Sequence, residues 1–272
     1  MPRALLIGVI FFTMTPLLIS LQWLLDKLHL PGWGFIATHY YRFLCRLLGI
    51  RVRVIGNPAG ERAVLYVSNH VSWADIVAIG SITPVAFVAK SEVASWPLVG
   101  VTAKLQRTVF VDRRRRQQTA GAVNEIVARL NSGVSVVLFA EGTSSDGNRV
   151  LPFRSALLGA VEQAAAGGAR GIRIQPMSIC YTALHGIPMG RQHRPLVAWY
   201  GDLDFMPHIK TLIARGPMDA VVTFGEPVAA DAASDRKAMT RQLEGAVRAM
   251  MAAALNGFPL RAPGPAASLK TL

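Results

Sequence analysis

The sequence predicts an α/β protein: a mixed, largely parallel sheet covered by helices and preceded by an N-terminal membrane-embedded helical hairpin. Three observations carry this. Short β-like runs alternate with helical stretches beyond residue 50. Several of those runs are apolar on both faces, as in a sheet with helices on each side. Ala4 to Leu25 contains no charged residue, which is enough apolar length to cross a bilayer.

The N-terminal run is preceded by Arg3 and followed by Asp26 and Lys27. A lone basic residue in front and no small-x-small site behind argue against a cleaved signal peptide. Pro16 kinks a helix here, so a bilayer span and a re-entrant, monotopic insertion both stay open. Trp33 to Leu48 interleaves Phe35, Ile36, Tyr40, Phe43, Leu47 and Leu48 with Arg42 and Arg46. That is the make-up of an interfacial helix; the alternative is an ordinary core helix. Residues 1–50 thus form the membrane-anchoring helices, 51–256 the α/β domain and 257–272 a tail. Pro259, Pro263 and Pro265 make that tail disordered.

Within the domain, Arg51 to Ile55, Ala63 to Val67, Val85 to Ala89 and Thr108 to Val111 read as strands. Val134 to Phe139, Ile174 to Tyr181, Leu196 to Trp199 and Ala220 to Phe224 read likewise. Thr119 to Leu130 and Ser155 to Ala166 have helical spacing, and Gly167-Gly168 and Gly186 mark loops.

A net charge of +13 on an apolar chain points to an anionic partner: nucleic acid, anionic lipid or an acidic carrier protein. Nucleic acid is set aside, because the chain lacks the aromatic-studded RNA motif, zinc-finger spacing and a helix-turn-helix. Cys45 and Cys180 make no recognisable framework, and without a histidine cluster no metal site is expected. Reduced thiols fit a cytosolic environment.

The most informative segment is Asn69-His70-Val71-Ser72-Trp73-Ala74-Asp75, which leaves the apolar run Ala63 to Val67. A histidine at a strand end suits proton transfer from a hydroxyl near neutral pH. An aspartate just over one helical turn on can hold its imidazole in the productive tautomer. Taken alone, the pair also fits a capping Asp75 beside a surface His70. A second segment, Phe139-Ala140-Glu141-Gly142-Thr143-Ser144, follows the strongest strand. Small residues there let the backbone approach a ligand, and Arg149 and Arg154 stand near to offer guanidinium groups. Lys90 ends a strand between the two segments, and Asp112 leads into Arg113, the first of four arginines. The ordinary reading of that run is a solvated edge facing phospholipid or carrier.

In this order, a His-x-x-x-x-Asp block, a lysine-to-arginine block, a Glu-Gly-Thr block and a proline-bearing strand (Ile174-Gln175-Pro176) resemble the 1-acylglycerol-3-phosphate type of glycerophospholipid acyltransferase. The resemblance covers roughly residues 60 to 230 and implies a glycerolipid acyltransferase-like fold. It implies that His70, oriented by Asp75, removes the proton from the acceptor's free hydroxyl. That hydroxyl attacks the thioester of acyl carrier protein or acyl-CoA, a co-substrate, with no cofactor. Lys90, Arg113, Glu141, Gly142 and Thr143 would shape the acceptor site of a lyso-lipid.

The chain departs from the family pattern at Ala140 and Ser144, where members carry proline and arginine. That arginine is expected to grip the acceptor phosphate, and a serine hydroxyl cannot replace its charge. Either Arg149 or Arg154 substitutes, or the acceptor is not a simple phosphomonoester. Ser145 to Phe153 and Ala198 to Asp202 resemble the bacterial lyso-ornithine-lipid acyltransferase branch, whose acceptor carries an amine and a carboxylate instead of phosphate. The resemblance implies a bacterial inner-membrane enzyme with its catalytic domain on the cytoplasmic face, working with the bilayer and acyl carrier protein. Acyltransfer to lysophosphatidic acid is the alternative. A non-catalytic protein binding anionic membrane, or a hydrolase using His70 to activate water, are readings from other classes.

Overall fold

A computed structural model of the chain describes residues 2–29, 32–60, 63–112, 116–154, 158, 173–229, 236–257 and 270–271. Two helices, α1 (Pro2–Lys27) and α2 (Trp33–Leu48), lead into strand β1 (Ile50–Ile55). There follow β2 (Val64–Ser68), α3 (Ala74–Gly80), β3 (Ala86–Lys90), α4 (Val99–Leu105), β4 (Val109–Val111), α5 (Arg116–Asn131) and β5 (Val136–Phe139). The long β6 (Arg173–Leu184) precedes β7 (Ile187–Pro188), α6 (Phe205–Arg215), β8 (Met218–Phe224), β9 (Val228–Ala229), α7 (Arg236–Leu255) and β10 (Lys270–Thr271).

The strands form one sheet in the order β10-β1-β8-β6-β2-β5-β3-β4, with β7 and β9 on β6. From β6 through β2, β5 and β3 to β4 every neighbour is parallel, and the direction switches between β6 and β8. Both faces are covered at the centre of the sheet, where β2 and β5 are buried at every position, whereas β1 nearer the edge alternates buried residues with exposed Arg51 and Arg53. Val64 and Tyr66 face a core shared with α2, α3 and α6, whereas Leu65 and Val67 face a second core shared with α5 and α7. The strand period of two sorts neighbouring residues between the two cores. The sheet is mixed, largely parallel and helix-covered, as the sequence predicts.

Helix α1 is long and apolar enough to cross a membrane, and its side chains largely face outward, with Leu5 72 %, Phe12 63 % and Leu17 62 % exposed. It is nevertheless fastened to the domain by buried polar contacts. The hydroxyls of Thr15 and Tyr40 lie 3.1 Å apart, and Gln22 Nε2 donates to the Leu105 carbonyl at 2.9 Å. Trp33 Nε1 donates to the same oxygen at 2.9 Å. That carbonyl ends α4, where no intrahelical N–H can reach it.

Helix α2 departs from the interfacial reading. Tyr40, Tyr41, Leu44, Cys45 and Leu48 are buried in the first core, and the helix packs along α3. Its amphipathic stripe is satisfied by protein, leaving Phe35 as the large apolar side chain that faces out. Gly49 closes it in the left-handed conformation at φ 78°. The segment Leu196 to Trp199 is not a strand. Arg194–Leu196 form a short 3₁₀ turn, and Val197 and Ala198 lie fully buried beneath it. An apolar run containing Pro195, which has no N–H, fills the core without joining a ladder. The helix expected over Ser155 to Ala166 lies outside the described residues apart from position 158, as does most of the tail. Lys270 and Thr271 pair antiparallel with Val54 and Arg53.

The α2–α3 contact is tight enough to test. A Cβ on Gly80 would come within 2.3 Å of the buried Tyr41 ring. Gly80→Ala is expected to destabilise the protein by roughly 1–3 kcal/mol through overpacking. Thermal unfolding in detergent checks this, and an unchanged midpoint would show that the contact yields freely.

Candidate active site

Strands β2 and β5 end level with one another, Ser68 opposite Phe139, and β3 lies next in line. The carboxyl ends of parallel strands are where an α/β sheet gathers ligand-binding loops. His70 follows β2, the Glu-Gly-Thr turn follows β5, and exposed Lys90 ends β3 on the same side. The topology thus brings three separate sequence blocks to one edge.

Asn69, fully buried, steers the chain out of β2. Its amide donates to the Ile179 carbonyl at 2.8 Å and accepts from the Ile179 N–H at 2.9 Å. This replaces the ladder step lost where β2 stops pairing with β6. The chain then turns tightly, so that Asp75, in the first turn of α3, faces back onto the residues just before it. Its Oδ2 accepts from His70 Nδ1 at 2.8 Å and from the backbone N–H groups of Val71 at 2.7 Å and Ser72 at 3.0 Å. Its Oδ1 accepts from the Tyr181 hydroxyl at 2.9 Å. Asp75 is 0 % exposed, and a buried carboxylate needs such a set of donors.

A carboxylate can only accept here, so the imidazole proton sits on Nδ1 and the Nε2 lone pair is left to take a proton. The ring is also held from the side. Phe139 stacks on it with centroids 4.0 Å apart and planes 15° from parallel, and Phe87 stacks behind Phe139. His70 is therefore fixed in tautomer by a charge and in plane by an apolar face.

Glu141 is 2 % exposed and accepts from the His70 backbone N–H at 3.3 Å through Oε1, while Oε2 makes no well-formed hydrogen bond among the described residues. Burial pushes its carboxyl up to about 8, and the charge of Asp75 adds to this. Backbone N–H groups of His70 and Leu151 and the charge of Arg248 act in the opposite sense. Gly142 sits at φ +70°, with Arg154 so close that a Cβ would meet its Cδ at 2.7 Å. Arg154 is anchored to the turn by its own N–H on the Ala140 carbonyl and by Nε on the Glu141 carbonyl at 3.3 Å. Thr143 is exposed at the tip. Ser144 does not face outward to bind: its hydroxyl donates to the Trp199 carbonyl.

Of the residues singled out in the sequence, His70, Asp75, Glu141, Gly142 and Arg154 are brought together by direct contact. Lys90 shares the edge, Arg149 is exposed beyond the turn, and Arg113 lies outside the described residues. Asn69 and Phe139 open the two segments singled out in the sequence but have no role assigned there, and Tyr181 completes the site without any local signal. A tyrosine or phenylalanine in an apolar strand reads as core.

Residues 50–180 match the model of the Acyltransferase family. A lyso-ornithine lipid O-acyltransferase of Brucella abortus is 48 % identical over 242 residues, covering 88 % of this chain and 90 % of its own. One of Rhizobium meliloti is 41 % identical over 271 residues, covering 98 % and 93 %. The chain belongs to the glycerolipid acyltransferase family. It is an enzyme that transfers acyl groups. A 1-acyl-sn-glycerol-3-phosphate acyltransferase of Neisseria gonorrhoeae is 30 % identical over 73 % of this chain and 74 % of its own. The fold is that of the crystal structure of the 1-acyl-sn-glycerophosphate acyltransferase from Thermotoga maritima, at a TM-score of 0.66 and 22 % identity over 92 % of both chains.

Two outcomes follow for this acyltransferase. Asp75→Asn offers an amide where His70 needs an acceptor, so kcat should fall by roughly 10²–10⁴-fold. Tyr181→Phe, which leaves three donors on Asp75, should cost far less; single-turnover rates compare the two. Glu141 gives a second test. Its folded-state value of about 8 lies above the ordinary 4.5, so the folded protein holds a proton that the unfolded chain releases. Stability should fall as pH rises from about 4.5 to about 8 and level off above that. Glu141→Gln should flatten this slope in denaturant titrations, and an unchanged slope would assign it elsewhere.

Proposed function

We propose that the protein is a membrane-bound lyso-ornithine lipid O-acyltransferase. The observation that carries this is the state of Ser144. At the position where the family's phosphate-gripping arginine is expected, a short neutral side chain bonds inward to the Trp199 carbonyl. A headgroup site without that guanidinium suits an acceptor bearing carboxylate and amine better than one bearing a phosphomonoester. The names of the two bacterial relatives that match most of the chain support the same acceptor.

In this reading His70 Nε2 takes the proton from the acceptor's free hydroxyl as its oxygen attacks the thioester carbonyl. The C–S bond breaks, and the thiol of acyl carrier protein or coenzyme A leaves with the proton returned by the imidazolium. Asp75 stabilises that imidazolium and holds the ring still. No protein nucleophile is required. Lys90, Glu141, Gly142, Thr143 and Arg154 frame the acceptor, with Arg154 bonded to the Glu-Gly-Thr turn itself and Arg149 exposed beyond it. The basic surface suits an acidic carrier protein as donor. The outward apolar face of α1 holds the enzyme at the bilayer where its acceptor resides. One observation favours the second reading, lysophosphatidic acid as acceptor: the Arg154 guanidinium, placed at the turn, could meet a phosphate.

The test is to give membranes containing the enzyme a labelled acyl-carrier-protein donor with lyso-ornithine lipid or lysophosphatidic acid, His70→Ala serving as the blank. Acylation of the ornithine acceptor alone is expected. Acylation of lysophosphatidic acid alone, abolished by Arg154→Ala, would establish the second reading. Equal activity of His70→Ala would overturn the assigned base.

A further inference from the structure

An aromatic cluster joins the segments that make up the site. Trp73, inside the His-x-x-x-x-Asp turn, packs on Phe205 of α6 with centroids 5.8 Å apart. Phe205 also meets Trp96 at 4.7 Å and Trp199 at 5.5 Å. Trp96 follows the Lys90 segment, and Trp199 donates its N–H to the Val71 carbonyl while its own carbonyl receives Ser144. At the centre is one directional contact: Trp73 Nε1–H donates to His208 Nδ1 at 3.0 Å, the rings nearly perpendicular at 89°.

We propose that His208 is a positioning residue for acyl transfer, clamping through Trp73 the turn that carries His70 and Asp75. His208 is 8 % exposed on α6, a helix that also packs against α1. An indole N–H needs an acceptor, so the His208 proton lies on Nε2 and Nδ1 carries the lone pair. Burial lowers the His208 pKa and keeps the ring in this neutral form. Nε2 is buried and makes no well-formed hydrogen bond among the described residues, although the Ala198 backbone beside the ring acts against the burial effect. A leucine would fill the same apolar space but would leave the Trp73 N–H without its acceptor. What the histidine supplies is an acceptor for Trp73, which stands midway between the two residues whose mutual geometry sets the tautomer of the base. Without it the indole can turn, and the residues flanking it lose their fixed spacing.

The inference rests on His70 being the base, and the assay separates the two. kcat and KM for acyl transfer would be measured for Trp73→Phe, His208→Leu, the double variant and His208→Asn, whose side-chain carbonyl can stand where Nδ1 stands. Each of the first two should lower kcat roughly tenfold with the acceptor KM little changed, and the double variant should be no worse than the weaker single one. His208→Asn should recover most of the loss. In NMR spectra the indole N–H resonance that vanishes in Trp73→Phe should shift in His208→Leu and return towards its place in His208→Asn. Unchanged kcat in Trp73→Phe, losses that multiply in the double variant, or His208→Asn no better than His208→Leu would overturn the clamp. If His208→Leu fails to fold, Trp73→Phe and His208→Asn still decide it. Activity surviving His70→Ala would instead sink the assignment of the base and leave the clamp results to stand as measured.

Discussion

A carboxylate sealed from water must find its hydrogen bonds in the protein, and Asp75 finds four. Two come from the backbone of the tight turn just before it, one from the His70 ring and one from Tyr181 on β6. The four donors serve three constraints. The backbone pair closes the turn, the imidazole is fixed in its plane and tautomer, and the tyrosine pins the turn to the sheet. Removing the charge would release all three at once, which is why the surroundings of Asp75 are built so closely: Asn69 stapled to Ile179, Phe139 stacked on the imidazole and α3 beginning at that point. The remainder of the site is arranged around an imidazole whose orientation this single buried side chain sets.

The sheet topology makes that arrangement possible. Parallel strands deliver their exits to one edge, so blocks far apart in sequence become neighbours without long loops. Glu141 then reaches the His70 backbone directly from the next strand, and Arg154 folds over Gly142 because a glycine at positive φ leaves the space. The loop carrying Trp199 closes the edge from the other side. It binds Val71 and Ser144 through its main chain, so it supports both the His70–Asp75 turn and the Glu-Gly-Thr turn.

Much of this was legible because it is local. A five-residue spacing places His70 against Asp75 within one turn, and a strand followed by Glu-Gly-Thr announces a close-approach loop. The two-sided apolar strands foretold a covered sheet. What escaped is long-range. Tyr181 lies 106 residues from Asp75 and His208 lies 135 from Trp73; no periodicity relates them. α6 and α7 went unread because their apolar positions are interrupted by Pro207, Lys and Arg, and α4 because it follows Pro97 and reads as a turn. Leu196 to Trp199 misled for a simpler reason: burial alone makes a run apolar, and a buried loop looks like a strand. Trp33 to Leu48 misled likewise, since an amphipathic helix does not reveal whether lipid or protein covers its face.

The most direct test of the account is the protonation of the His70 ring, followed by ¹⁵N resonances through a pH titration of the folded enzyme and of Asp75→Asn. The account predicts that neutral His70 carries its proton on Nδ1, that Nε2 gains the second proton on acidification, and that Asp75→Asn shifts the neutral ring towards the other tautomer. A neutral ring protonated at Nε2 in the unaltered enzyme, or a tautomer indifferent to Asp75, would contradict it.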